Sequence, residues 1–328
     1  MQKRLLLAIC LLALAFGVNA QQQPQFSHYG FNGMFLSPAY AGITNHPEFT
    51  FLGRYQYAGY TAAFNDKGGS PQTYLLTGSV PVAAIGGGLG FGISRDEIAA
   101  VKTLSAQVSY SYHIKLKSGK LGIGIQGIFN NISNGDLRPR DLNDPFVPSN
   151  SSDRKFDAGA GLWYHSESFY LGAGINNLLA AKYRFEARDA DNNKLPGTPA
   201  VVSGERHAYL TTGYNIALSE AFILTPTAIG KMDFAGAGKS FSFEAGARGT
   251  FNDRFWLGVG YRHQESATAL AGVAFGRDNM MRVGYAFDLV VFNPNARARS
   301  SHELLLSLRL PEPVIRFRPA IRTPRYSF

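Results

Sequence analysis

Apolar and polar positions alternate along most of this chain with a period of two. The clearest stretch is Thr103–Leu116. One face reads Leu104, Ala106, Val108, Tyr110, Tyr112, Ile114, Leu116, and the other Thr103, Ser105, Gln107, Ser109, Ser111, His113, Lys115. Unbroken alternation of this kind is the signature of a strand with one apolar face. A membrane-crossing strand needs about 9–11 residues, and this one is long enough. The same pattern predicts fourteen strands, over 48–57, 72–82, 86–95, 102–116, 121–131, 155–165, 169–178, 206–216, 221–232, 240–251, 254–263, 266–276, 280–289 and 301–310. Phe241, Phe243, Ala245 and Ala247 oppose Ser242, Glu244, Gly246 and Arg248. Leu304, Leu306 and Leu308 oppose Glu303, Leu305 and Ser307.

The links between these segments give a second signal. Links after even-numbered strands are short, near Val82–Ile85, Lys117–Lys120, Ser166–Ser168, Ala217–Glu220, Asn252–Asp253 and Arg277–Asn279. Long links follow odd-numbered strands, near Ala58–Pro71, Ile132–Arg154, Leu179–Glu205, Asp233–Lys239 and Val290–Ser300. Transmembrane barrels sort their loops in this way, with short periplasmic turns and long external loops. The expectation is an all-β, antiparallel transmembrane barrel of about fourteen strands, with apolar side chains toward lipid and polar ones toward the lumen. In hydrocarbon every backbone amide needs an internal partner, so the strands must close on themselves.

Met1–Ala20 reads as a secretory signal: Lys3 and Arg4, an apolar run from Leu5 to Val18, then Val18-Asn19-Ala20 as a cleavage site. The apolar run is too short for a membrane-spanning helix. The single cysteine, Cys10, lies within it, which excludes disulfides, thiol chemistry and cysteine-bound metal from the mature chain. The division predicted is a signal over 1–20, an N-terminal periplasmic or plug segment over 21–47, a barrel over 48–310, and a basic, proline-rich periplasmic tail over 311–328.

Composition supports a barrel over a soluble domain or a helical bundle. Charged residues make up 17% of the chain, against roughly 25% in soluble domains, yet the mean hydropathy of −0.09 is too low for membrane helices. Glycine, at 36 of 328 residues, recurs inside strands as Gly-x-Gly at 88/90, 122/124, 159/161, 172/174 and 258/260. Gly122, Gly124 and Gly127 match a dinucleotide fingerprint in letters only, because that motif must open a helix. These glycines instead put small residues on the lumen face.

No cofactor, catalytic or metal site is predicted. The histidines lack metal-ligand spacing, and Asp189-Ala-Asp191-Asn-Asn193 lacks the glycine and distal glutamate of a calcium loop. His113, Lys115, Glu244, Arg248 and Arg282 read as lumen charges. The formal net charge of +9 is not gathered into a nucleic-acid-binding motif. It is densest in the tail, at Arg316, Arg318, Arg322 and Arg325, which either meets an acidic partner or the cell wall or stays disordered.

The aromatic-rich opening, QQQPQFSHYGFNGMFLSPAYAGITNHP over 21–47, is too apolar for a free linker and is expected to tuck into the barrel mouth or bind a partner. Gln25, Phe26, Ser27, His28, Tyr29 and Asn32, followed by Ser37, Pro38, Ala39, Tyr40, Ala41 and Gly42, resemble the opening of the PorP/SprF family. Gly69–Thr73, Asp96, Tyr285–Asp288 and Ser301, His302, Glu303 and Leu304 continue the resemblance in order. Ser37 stands where that family commonly has Asn, and Gly33 where it commonly has Pro.

The resemblance implies a non-enzymatic outer-membrane component of the type IX secretion system, active in protein secretion and, in some lineages, gliding motility. The partners it implies are a secreted cargo or adhesin protein, periplasmic subunits of the secretion machine and outer-membrane lipid. The motif residues are the candidates for partner contact. Two rivals stand beside it. One is a fatty-acid-transporter-like channel for hydrophobic solutes, and the other is an outer-membrane hydrolase, for which the sequence nominates no nucleophile.

Overall fold

The computed structural model describes residues 23–60, 69–135, 151–186, 194, 199–235, 238–292 and 298–313. The predicted signal with Cys10, the Asp189–Asn193 run and residues 314–328 of the tail lie outside them.

Fourteen antiparallel strands follow one another around a closed ring. They are β1 Glu48–Tyr55, β2 Gln72–Val82, β3 Gly87–Ile98, β4 Val101–Leu116, β5 Gly119–Asn134, β6 Ser152–His165 and β7 Phe169–Asn176. The second half comprises β8 Arg206–Tyr214, β9 Phe222–Ala235, β10 Gly238–Phe251, β11 Phe255–Arg262, β12 Ser266–Phe275, β13 Met281–Val290 and β14 Ser300–Arg309. Each strand pairs with its sequence neighbours. The ring closes where β1 meets β14, in a register running from Glu48 opposite Arg309 to Tyr55 opposite His302. A two-residue strand, Ile216–Ala217, continues β8 along β9. A separate hairpin, Lys182–Phe185 with Ala200–Ser203, sits in the link between β7 and β8.

The two faces divide as the alternation predicts. Val108 is 69% exposed on the outer face, Leu257 70% and Val259 66%, while the adjacent inward positions Ser109 and Ser111 on β4 are buried. An apolar exterior on a closed barrel is what a lipid environment demands. Arginine on such a face carries a depth-dependent cost. Val108→Arg, midway along β4, is expected to destabilise the barrel by about 2–4 kcal/mol, and Leu116→Arg, at the end of the same strand, by about 0–1 kcal/mol. Urea titration of the protein in lipid vesicles measures both.

The links depart from the predicted sorting. Links after even-numbered strands are all short, but so are three after odd-numbered ones: Ala99–Ala100, the two residues between Ala235 and Gly238, and His263–Glu265. The expected long link over Asp233–Lys239 is therefore corrected: β9 and β10 stay paired out to Ala235 opposite Gly238. The reason is strand length. β9 and β10 run to 14 residues each, more than a bilayer requires. Their ends leave the hydrocarbon and carry polar residues, Asp233 and Lys239, that read as loop.

Candidate functional site in the barrel lumen

Residues 23–47 thread the barrel interior. The segment folds as three short turns, Tyr29–Phe31, Gly33–Leu36 and Pro38–Tyr40. Pro38 begins the last of these, and the Ser37 hydroxyl accepts from Ala39 N at 3.3 Å. Proline there needs no amide partner and arrives with its φ preset.

Glycine on the inner wall makes room for this backbone. A Cβ on Gly122 would lie 2.4 Å from the Ala39 carbonyl oxygen. One on Gly124 would lie 2.3 Å from Ala39 N, one on Gly88 2.3 Å from the Ala41 carbonyl oxygen, and one on Gly174 2.0 Å from the Leu36 carbonyl oxygen. The Gly-x-Gly pairs thus form a trough that admits main chain. Gly42 ends the tight stretch with φ +69°, and a Cβ there would approach Gly88 Cα to 2.8 Å, so no other residue fits.

Wall side chains take up the polar atoms of the segment. Ser111 Oγ donates to Ala39 O at 2.9 Å and Ser37 Oγ to Ala173 O at 2.9 Å. Gly42 N donates to Ser79 Oγ at 2.8 Å, and His113 Nε2 lies 2.9 Å from Ala41 O. Aromatic edges fill the remainder. Phe26 packs against Phe35 with ring centroids 5.2 Å apart, Tyr40 against Trp163 at 5.0 Å and Phe31 against Trp256 at 5.2 Å. The Arg248 guanidinium caps Phe31 at 4.4 Å. Burial, with Glu48 alongside, pushes the Tyr40 hydroxyl well above its ordinary range, so it remains a donor to Glu48 Oε2 at 2.9 Å.

The start of the segment is held by a buried charge cluster. Arg54 on β1 lies opposite Glu303 on β14. Its Nη1 donates to Glu303 Oε2 at 3.0 Å and to Ser27 Oγ at 2.9 Å, and its Nη2 reaches Asp288 Oδ2 at 2.6 Å. Glu303 also accepts from the backbone amides of Ser27 and His28, each at 2.8 Å, and from His28 Nδ1 at 2.8 Å. Ser27 Oγ lies 2.8 and 2.9 Å from the two oxygens of Asp288. A second guanidinium, Arg262, binds Glu244 at 2.8 Å and Glu265 at 3.1 Å. Further along, Lys231 Nζ donates to Gln23 O at 2.8 Å, and Tyr209 OH to Gln23 Oε1 at 2.5 Å.

Of the motif residues, Phe26, Ser27, Tyr29, Asn32, Pro38, Ala39, Ala41, Gly42 and Glu303 converge in this lumen, with Gln25 Oε1 3.4 Å from Ser242 Oγ. Ser301 is buried on β14 beside them and accepts from Tyr57 N. His302 is set apart. The pleat turns it outward, where Tyr285 OH lies 2.6 Å from Nδ1. The segment also reaches deeper than a plug at the mouth. It leaves β1 at the short-link rim and anchors Ser27 and His28 to residues near the opposite ends of β1, β13 and β14. Arg54, Arg262, Lys231, His207 and Asp233 escaped the sequence reading, because one charge at a polar position of a strand looks like any other lumen charge.

Cavities of about 30 and 10 Å³ flank the segment, the smaller at the limit for a single water. Toward the long-link rim a cavity of about 380 Å³ opens above Gln23, Pro24 and Phe35, with Ile128, Tyr183 and His207 in its lining. Among the described residues, no group of three or more His, Cys, Asp or Glu is arranged to hold a metal ion.

The Pseudomonas putida toluene transporter TodX is similar at 12% identity and a TM-score of 0.46, over 84% of this chain and 92% of TodX. The CymD monoaromatic hydrocarbon channel gives 12% and 0.45, over 85% and 92%. A Pseudomonas aeruginosa FadL homologue gives 14% and 0.41, over 83% and 92%. Among curated proteins no sequence matches. Residues 18–308 match the family described as type IX secretion system membrane protein PorP/SprF, and the chain, a closed fourteen-stranded barrel threaded by the family's opening motif, belongs to that family.

Proposed function

We propose that this protein works in the outer membrane as a non-enzymatic docking component of type IX secretion, exported by a signal cleaved after Ala20. In this reading its rims make the contacts. The long-link rim meets a specific secreted cargo or adhesin outside, and the short-link rim meets periplasmic subunits. The observation that carries the reading is the occupied lumen. Residues 23–47 fill the barrel through most of its depth and are tied to it by buried charges, which suits a rigid platform better than an open pore. This also revises the part assigned to the opening motif: residues buried against the wall shape the barrel, and partner contact falls to exposed rim residues. A shallow cavity of about 800 Å³ bordered by Asn45, Lys117, Lys120 and Glu167 offers one such surface on the short-link side. Deleting the gene is expected to strand particular cargo in the periplasm or release it from the cell surface. Normal export and attachment of every cargo overturns the proposal.

The 380 Å³ cavity, with its aromatic and aliphatic side chains, favours a second reading as a channel for hydrophobic solutes. Its floor is the N-terminal segment itself, so passage requires that segment to move. Solute uptake by liposomes carrying the purified barrel, absent from empty liposomes, would favour this reading over the first.

A further inference from the structure

The outer wall of β3 to β6 carries a charge pattern that β11 to β14 and β1 lack. Three successive outward rows can be read from the register. The first is apolar, with Ile93, Ala106, Phe129 and Phe156 side by side, and the last two rings are 5.2 Å apart. The next row, two residues nearer the long-link rim, is Arg95, Leu104, Asn131 and Arg154. The third is Glu97, Lys102, Ser133 and Ser152. Rows of this kind are about 7 Å apart along the strands.

Arg95, Lys102 and Arg154 are all exposed. Arg95 is paired with Glu97, and among the described residues Lys102 and Arg154 have no carboxylate partner. Their strands are two apart and their rows one apart, which places their backbones about 12 Å from each other, and their long stems can swing toward one point. The outward positions of β11 to β14 and β1 contain neither Lys nor Arg. There Tyr55 and Tyr261 occupy the half nearer the long-link rim.

Cations directly above an apolar row match an amphiphile with an anionic head. A soluble anion would gain nothing from Phe129 and Phe156, and an uncharged lipid nothing from Lys102 and Arg154. We propose that this face binds the phosphate-bearing headgroup of a membrane lipid, with acyl chains on the Phe129–Phe156 row. The site lies outside the lumen and does not depend on the barrel's part in secretion.

The test uses the full mature chain in detergent, with lipid A as the probe and native mass spectrometry as the readout. The Lys102→Gln/Arg154→Gln variant is expected to bind lipid A about thirtyfold more weakly, the factor for two basic residues at a charged membrane surface. A control with the same loss of charge at the other rim, Arg254→Gln/Arg277→Gln, is expected to bind as the parent does. Heat-modifiable migration on gels shows that each variant is folded. Should the double variant fail this check, Lys102→Gln alone is expected to weaken binding about fivefold. Equal binding by the folded variant overturns the proposal, as does equal binding of dephosphorylated lipid A. Competition by inorganic phosphate that displaces all lipid A overturns it too, because the face would then hold an adventitious ion only.

Discussion

Arg54→Met is expected to destabilise the barrel by about 3–5 kcal/mol, the usual cost of removing one partner from a buried ion pair. Arg54 stands between Asp288 and Glu303, and all three side chains are almost wholly buried. Without it two carboxylates remain in the lumen with Ser27, His28 and Thr268 as their nearest hydrogen-bond donors. The nearest remaining cation, Arg262, lies 4.0 Å from Asp288 and is already engaged with Glu244 and Glu265. The same substitution removes a donor to Ser27 Oγ, so the N-terminal segment loosens with the wall. Equilibrium unfolding by urea in vesicles reads the loss. A triple variant, Arg54→Met with Asp288→Asn and Glu303→Gln, is expected to recover most of it, because removing the charges together leaves none uncompensated. If Arg54→Met unfolds like the parent, the cluster contributes little and the segment is held by its packing and its other hydrogen bonds to the wall.

The barrel was legible because its physics is local. Alternation at Thr103–Leu116 assigns each side chain to lipid or lumen without knowledge of its neighbours, and the fourteen predicted segments correspond one to one with the fourteen strands. What failed was local as well. Glu97, Asp233 and Lys239 are polar and lie at strand ends, so they resemble loop, although the ladder continues through or up to them beyond the hydrocarbon. The lumen was harder to read because its logic is pairwise across the ring. Nothing near Arg54 in sequence announces Glu303, 249 residues away. Gly122 and Gly124 were placed correctly on the inner face, yet their purpose depends on Ala39, a residue from a different part of the chain. The opening motif marked the right segment for this reason. Its small and turn-forming members, Pro38, Ala39, Ala41 and Gly42, are those that must press against the trough.

Filling that trough is expected to open the barrel. A side chain on Gly124 points at the Ala39 backbone, with Cβ 2.3 Å from its N and 2.5 Å from its Cα. On Gly161 it meets Ser37 Oγ at 2.1 Å. Flexible side chains could step aside, but the Ala39 backbone belongs to a turn fixed by Pro38 and by the Ser111 bond to its carbonyl. Overpacking of this kind costs typically about 1–3 kcal/mol where the surroundings yield. The part able to yield is the segment, because the wall is held on both sides by its strand ladders. Gly124→Leu/Gly161→Val is therefore expected to remain a folded barrel with 34–42 displaced from the wall. Planar-bilayer recording measures the consequence: little steady conductance for the parent and frequent open events for the variant. A cysteine introduced at Thr44, in protein expressed without residues 1–20 so that it has no other, should react faster with a water-soluble maleimide in the variant. Conductance and labelling equal to the parent's would mean that the wall deforms instead. Open events in the parent itself would mean that the segment leaves the lumen unaided, which would shift the balance from a platform toward a channel.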